Sequence, residues 1–340
     1  MTCFKNDPVR SEVRRFTLGA AAAASLLVVP LGASAQENST DDWPSQTIEV
    51  VSHASAGGGT DTTIRMWLTA ADESVDQDMR VVYKQGGGAR AAHEYLLNRA
   101  NDQQDLNHTL MALTQTHLYT IARGNSPLEI DEIQGVARAM DDPSVIVVDP
   151  DSPYADYDDF VAASRDEALT WGVAQVGGTE HIGISRWADA ADAQVRVVPF
   201  GSGGEMITSL RSGAVDATLA NVSEALAMIE DGSLVPVGML YHDRVGDLPD
   251  VPSTYEFGHE VSVTTTRGYY THADTDPAVV EKMEALVLGG MESERFRDYL
   301  RSSGLDPDTN VGGADVWDTQ LKEEYQVSLE ALRALDMTDR

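Results

Sequence analysis

Several short loops in this chain join glycine to small hydroxyl or amide side chains, and each follows an apolar, strand-like run. The first is Ala54-Ser55-Ala56-Gly57-Gly58-Gly59-Thr60-Asp61. Glycine lets the backbone come close to a ligand and turn its N–H groups inward. A helix starting just after it adds the positive end of its dipole, so an anion can be held without a cationic side chain. The plainer alternative is a strand-to-helix turn with Thr60 or Asp61 as N-cap. A nucleotide phosphate loop is excluded, because the terminal Lys-Ser/Thr and the G-x-G-x-x-G spacing are both missing. Comparable loops are Gln85-Gly86-Gly87-Gly88, Gln175-Val176-Gly177-Gly178-Thr179-Glu180-His181, Gly201-Ser202-Gly203-Gly204 and, more weakly, Thr114-Gln115-Thr116. One such loop says little. Several at the same end of successive strands would be gathered by the fold around one cleft. Thr179 with the N–H groups of Gly177 and Gly178, and Ser202 with Gly203, would then face the first loop, with Thr114, Thr116 and Asn221 as further candidates. Gly58→Val is expected to abolish binding and leave the fold intact.

Other chemistries fit less well. Ser202 has no G-x-S-x-G frame, so a serine hydrolase lacks its elbow. His53, His108, His117 and His181 show no zinc spacing and read as ordinary surface or pocket groups. Asp149, Asp151, Asp156, Asp158 and Asp159 lack the glycine and distal glutamate of a calcium loop, and turn or helix-start duty suits them better. No metal or other cofactor is implied. Lys84, Arg90 and Arg267 lie near loops or crossings where they could counter an anion, but an exposed surface charge is the plainer expectation for each. The five tryptophans (Trp43, Trp67, Trp171, Trp187, Trp317) read as packing residues.

The elements that must position these loops follow a strand–loop–helix rhythm. Strands are expected at 48–51, 80–83, 109–113, 145–148, 169–173, 195–200, 214–219 and 235–239, with a return strand at 267–270. Helices are expected between them, over 277–300 and from Ala314. That rhythm predicts an α/β fold with parallel sheets. Two domains are expected, a discontinuous first one over 43–146 and 265–340 and a second over 147–264. The chain would cross between them twice, near 143–149 and 264–271, making a hinge over a cleft.

The N-terminus has the form of a cleavable export signal over 1–35. Arg14-Arg15 is followed by an apolar run to Leu31 and by the small-residue site Ala33-Ser34-Ala35. That run is shorter than the roughly 20 residues a membrane span needs. The Arg pair also suits the twin-arginine route. The single cysteine, Cys3, lies inside this segment. Cleavage would remove Lys5, Arg10, Arg14 and Arg15 with Asp7 and Glu12, taking the net charge from −31 to −33. Such a charge argues against nucleic acid and anionic membrane as partners. A high-salt habitat would account for it, since salt screens repulsion between surface carboxylates.

Taken in order, Trp43-Pro44-Ser45, Ala56-Gly57-Gly58-Gly59-Thr60-Asp61, Gly177-Gly178-Thr179-Glu180-His181, Val198-Pro199-Phe200, Ser212-Gly213-Ala214-Val215-Asp216, 248–254 and 276–280 resemble the Bug-type substrate-binding proteins of tripartite tricarboxylate transporters. The resemblance implies a two-domain periplasmic binding fold of the Venus-flytrap type, type II-like. It also implies a monomeric periplasmic receptor for a small organic carboxylate, with no enzymatic activity, serving a membrane permease of large and small subunits. A sensor feeding a membrane kinase is the alternative, and a periplasmic hydrolase a more distant one. Carried over from the family, the ligand would meet Ser55, Ala56, Gly57, Gly58, Thr60 and Asp61 on one side and Gln175, Gly177, Gly178 and Thr179 on the other. The chain departs from the family pattern at Val51-Ser52-His53, at Tyr83-Lys84-Gln85-Gly86-Gly87-Gly88-Ala89 and at Gly201, which bears on the pocket's size and polarity.

Overall fold

The computed structural model describes residues 42–71, 75–154, 156–200 and 203–338. The expected export signal, Gly201 and Ser202 lie outside the described residues. The chain begins with β1 (Ile48–Ser52), α1 (Gly59–Ala71), β2 (Met79–Tyr83), α2 (Arg90–Arg99), the single turn α3 (Gln103–Leu106), β3 (Thr109–Leu113) and α4 (Gln115–Ala122). Then come β4 (Ile133–Val148), α5 (Tyr157–Asp166), β5 (Leu169–Val173), α6 (Thr179–Ala191), β6 (Val195–Pro199), α7 (Gly203–Arg211), β7 (Ala217–Asn221), α8 (Val222–Glu230) and β8 (Val235–Leu240). β9 (Thr264–His272), α9 (Pro277–Met291), α10 (Glu294–Ser302), the short α11 (Pro307–Asn310) and α12 (Ala314–Ala334) complete it.

The strand order is β2-β1-β3-β9-β4-β7-β5-β6, with β8 also on β4. β1, β2 and β3 are parallel, as are β5, β6 and β7. At the centre the order departs from the parallel βα pattern: β4 and β9, the latter the expected return strand, run antiparallel to all their neighbours. β4 passes from one half of the sheet to the other, and β9 lies between β3 and the first part of β4. β4 is the pivot. Its first part, to Pro143, pairs with β9, and from Ser144 it pairs with β7 and β8. Only 145–148 of this strand is legible as a strand in sequence, because Asp141-Asp142-Pro143 interrupts any apolar pattern.

Each half of the sheet is covered on both faces, which gives two lobes. Val50, Leu110 and Tyr269 pack under α1 and α9 on one face of the first, and Met111, Leu113 and Tyr270 pack under α4 and α12 on the other. In the second, Trp171, Trp187 and Phe160 stack with ring centroids 5.1–5.5 Å apart. Trp67, Trp171, Trp187 and Trp317 have no solvent exposure. Burying a ring of that size removes roughly 150–250 Å² from water, about 4–6 kcal/mol before entropic costs. The acidic residues after β4 act locally. Asp156 caps α5 through the N–H groups of Asp158 and Asp159, and Asp149 accepts the N–H of Asp151.

Candidate functional site

The loop after β1 is shaped by its own aspartate. Asp61 is 2 % exposed, and its carboxylate accepts the Gly57 N–H at 2.8 Å, Arg65 Nε at 2.9 Å and the Tyr83 hydroxyl at 2.6 Å. These hydrogen bonds hold its pKa below the usual carboxylate value against the opposing effect of burial. Asp61 therefore holds the loop and is not turned to the cleft. Gly57 sits at φ +84° to make the turn. Ser55, Ala56, Gly57 and Gly58 lie on the exposed outer part of the loop.

Between the lobes lies a cavity of about 480 Å³. Of the expected residues, Thr60, Thr114, Thr116, Gln175, Gly178, Thr179, Gly203 and Asn221 line it; Ser55, Ala56, Gly57, Gly58, Asp61 and Gly177 do not. Five helices start at its wall: α1 at Thr60, α4 behind its cap Thr114, α6 at Gly178–Thr179, α7 at Gly203 and α8 behind Asn221. The first turn of each has N–H groups with no acceptor inside the helix, and each dipole puts its positive end there. Thr114-Gln115-Thr116, read in sequence as a loop, is a helix start: Thr114 accepts the Thr116 N–H at 3.4 Å.

Arg267 is the correction of most consequence. Expected as an exposed charge, it is 6 % exposed and lines the cleft. Its guanidinium lies 3.7 Å from Asp142 and 4.0 Å from Glu224, beyond direct hydrogen bonds, and Nε has no partner. Asp142 has no exposure, and burial pushes its carboxyl up to about 6 despite Arg267 and the bonds from Ser223. Lys84 lies over the Tyr95 ring, and Arg90 pairs with Glu94 at the surface. A Cβ on Gly59 would come within 2.8 Å of Arg267 Nη2, whereas one on Gly58 would meet only the Ser55 carbonyl oxygen at 3.7 Å. The sensitive glycine is thus Gly59. Gly59→Val is expected to displace the guanidinium and weaken anion binding by about tenfold or more, with Gly58→Ala close to wild type, both measured by calorimetric titration.

Across the cleft the lobes already touch. Arg123, at the end of α4, donates to the Gly177 carbonyl, and Tyr119 donates to Thr179 at 3.5 Å. Gly177 has φ +68°, and a side chain there would occupy the place of the Arg123 guanidinium. An adjoining cavity of about 330 Å³ shares Thr116, Gln175 and Gly178 with the first and is bordered by the Gly87–Gly88 loop.

Of the histidines expected as surface or pocket groups, His53 and His181 are half-buried and His108 and His117 are buried. His117 and His93 have no exposure and His108 is 2 % exposed. His53, His117 and His93 form a chain, with ring nitrogens 2.9 Å apart at both links. Burial lowers His53 to about 4 and His93 to about 3, and His117 well below its ordinary value, so all three are neutral at pH 7. In α12, Glu324 is pushed up to about 7 by burial, with Asp141 adding to the effect. Among the described residues no group of three His, Cys, Asp or Glu side chains is placed to hold a metal. Among them too, no helix is long and apolar enough to cross a membrane.

The model of the tripartite tricarboxylate transporter family receptor matches residues 63–314. The chain belongs to that family. One relative, a UPF0065 protein of Bordetella pertussis, is 22% identical over 291 residues, 83% of this chain and 88% of its own. Among solved structures, a solute-binding protein of the same family from Polaromonas superposes with a TM-score of 0.74 at 21% identity, covering 86% of this chain and 99% of its own. MatC of Rhodopseudomonas palustris, solved with bound malate, gives 0.71 at 21%, covering 85% and 99%. The fold is therefore the two-domain periplasmic binding fold of this receptor family.

Proposed function

We propose that this protein is a periplasmic solute receptor, not an enzyme, that captures a small organic carboxylate by closing its lobes. It then delivers the ligand to a permease of large and small membrane subunits. The observation that carries this is the convergence of five helix starts and the buried Arg267 on one cleft. Oriented N–H groups in a recess of low dielectric bind a carboxylate well even when the molecule as a whole is strongly negative. The malate held by MatC supports the same ligand class.

Closure needs two bodies and a hinge. We take the moving bodies as 43–146 with 265–340, and 147–264, joined where β4 changes partners and where the chain returns into β9. A ligand touching both sides binds the closed form better and shifts the population toward it. Arg123 and Tyr119 then act as contacts that favour closure. The export signal over 1–35, release into the periplasm and a monomeric state belong to this proposal. A thermal-shift screen of mono-, di- and tricarboxylates in high salt tests it. A true ligand at 100 times its Kd is expected to add about 2.7 kcal/mol of stability. If no carboxylate shifts the melt while another solute class does, the proposal is wrong.

A further inference from the structure

The hinge strands have two faces, and the ligand cleft uses one of them. Side chains alternate along a strand, so Thr265 and Arg267 of β9 turn to the cleft while Thr264 and Thr266 turn away. On that other face lies a second cavity of about 300 Å³. Asp141 and Thr264 line it, with Glu323 and Glu324 of α12 on one side and Gly183 and Arg186 of α6 on the other. Neutral groups hold Glu324: its carboxyl accepts Gln320 Nε2 at 2.7 Å, Thr266 Oγ1 at 3.1 Å and Gln115 Nε2 at 3.2 Å. The Thr266 hydroxyl has one proton and also faces Asp141 Oδ1 at 2.9 Å, so it can serve only one of the two carboxyl groups. Arg138 of β4 is spent on Gln320 Oε1 at 2.6 Å. Tyr119 of α4, which also lines the cavity, brings no positive charge.

Arg186 is the cation these carboxyl groups lack. It is half-buried, its Nη1 donates to the Ser262 carbonyl at 3.0 Å, and no carboxylate pairs with it among the described residues. It stands on α6 in the second lobe, whereas Asp141 and Glu324 belong to the first, so rotation of the lobes changes the gap between them. The hinge strands lie between this cavity and the cleft, so a rotation that narrows one widens the other. Resting on the hinge closure of the receptor proposal, we infer that Arg186 and Glu324 are the halves of a latch that pairs across the narrowed cavity and holds the ligand cleft open. In the conformation seen here the latch is undone, and burial, with Asp141 adding to it, pushes Glu324 up to about 7. Pairing with Arg186 favours the charged carboxylate, so latching releases a proton. Raising the pH through 7 then favours the open cleft, and lowering it favours closure.

Spin labels test this in the full chain, whose one cysteine, Cys3, is first replaced by Ser. Gln326→Cys on α12 and Ala190→Cys on α6, both exposed positions, carry the labels, and pulsed electron resonance reads the distance between them. From pH 6 to pH 8.5 the ratio of short to long distances is expected to rise about tenfold, the equivalent of one pKa unit. Glu324→Gln and Arg186→Met are each expected to hold the ratio constant, and Arg186→Lys to keep most of the rise. Circular dichroism confirms that the variants are folded. A wild-type ratio that ignores pH overturns the latch and leaves the carboxylate receptor standing, and so does a Glu324→Gln ratio that follows pH as the wild type does. One fixed distance at every pH, unchanged by any acid of the thermal-shift screen, removes the hinge closure and the latch with it.

Discussion

Replacing Arg267 by Met is expected to raise the Kd for the carboxylate by roughly 30-fold or more, about 2 kcal/mol or above. The side chain is buried, lines the cleft and lies beside the α1 start at Gly59, and its nearest carboxylate, Asp142, is 3.7 Å away and pushed toward its neutral form by burial. Desolvation of this kind makes a cation effective toward an incoming anion, because water no longer competes for it. Methionine keeps most of the volume and removes the charge. Stability should fall as well, since Asp142 loses its main favourable charge and its raised carboxyl rises further. The double variant Arg267→Met/Asp142→Asn separates the two effects. It should recover the melting temperature without recovering affinity, and affinity recovered along with stability would show that Arg267 serves only the fold.

Acid should destabilise the protein through its histidine chain. His53, His93 and His117 stay neutral in the folded state well below pH 6.5, whereas in the unfolded chain they take up protons near that pH. The unfolded state then binds more protons, so stability is complete above pH 6.5 and falls as the pH drops through 4 toward 3. Asp142 and Glu324 work in the opposite sense. Their folded values, about 6 and about 7, lie above their ordinary ones, so they favour the folded state at low pH and lose that effect as the pH rises through 4 to 7. The variant His93→Gln can still bridge Ser126 and His117 but cannot titrate. Its melting temperature should fall less steeply between pH 6.5 and 4 than that of the wild type. Parallel profiles would show that His93 is not protonated on unfolding in this range.

The loops at 55–61 and 175–181 were legible because each stands between an apolar run and a helical one, and that order alone places a helix start beyond a strand end. The strands at 48–51, 109–113 and 169–173 were legible for the same reason. α4 was not, because Gln115, Thr116 and His117 look like a polar loop, and Gln115 and His117 are buried through distant partners in β9, α12 and the other two histidines. The role of Asp61 was half legible: an acidic residue at a helix start is a local signal, but its turn back onto Gly57 and across to Tyr83 is not. No spacing rule connects His53, His93 and His117, which meet only because β1, α2 and α4 pack together.

Most strand ends and the helix starts beyond them, α4 excepted, could be read from the residues in order, and with them the kinship to a carboxylate-receptor family. An N–H group at a helix start is made by four or five neighbouring residues, so its chemistry can be read locally. The tertiary structure alone decided which of those starts face one cleft, and which arginine among many becomes its buried cation. Desolvation is the reason: whether Arg267 is in water depends on α1 and β4, which lie far from it along the chain.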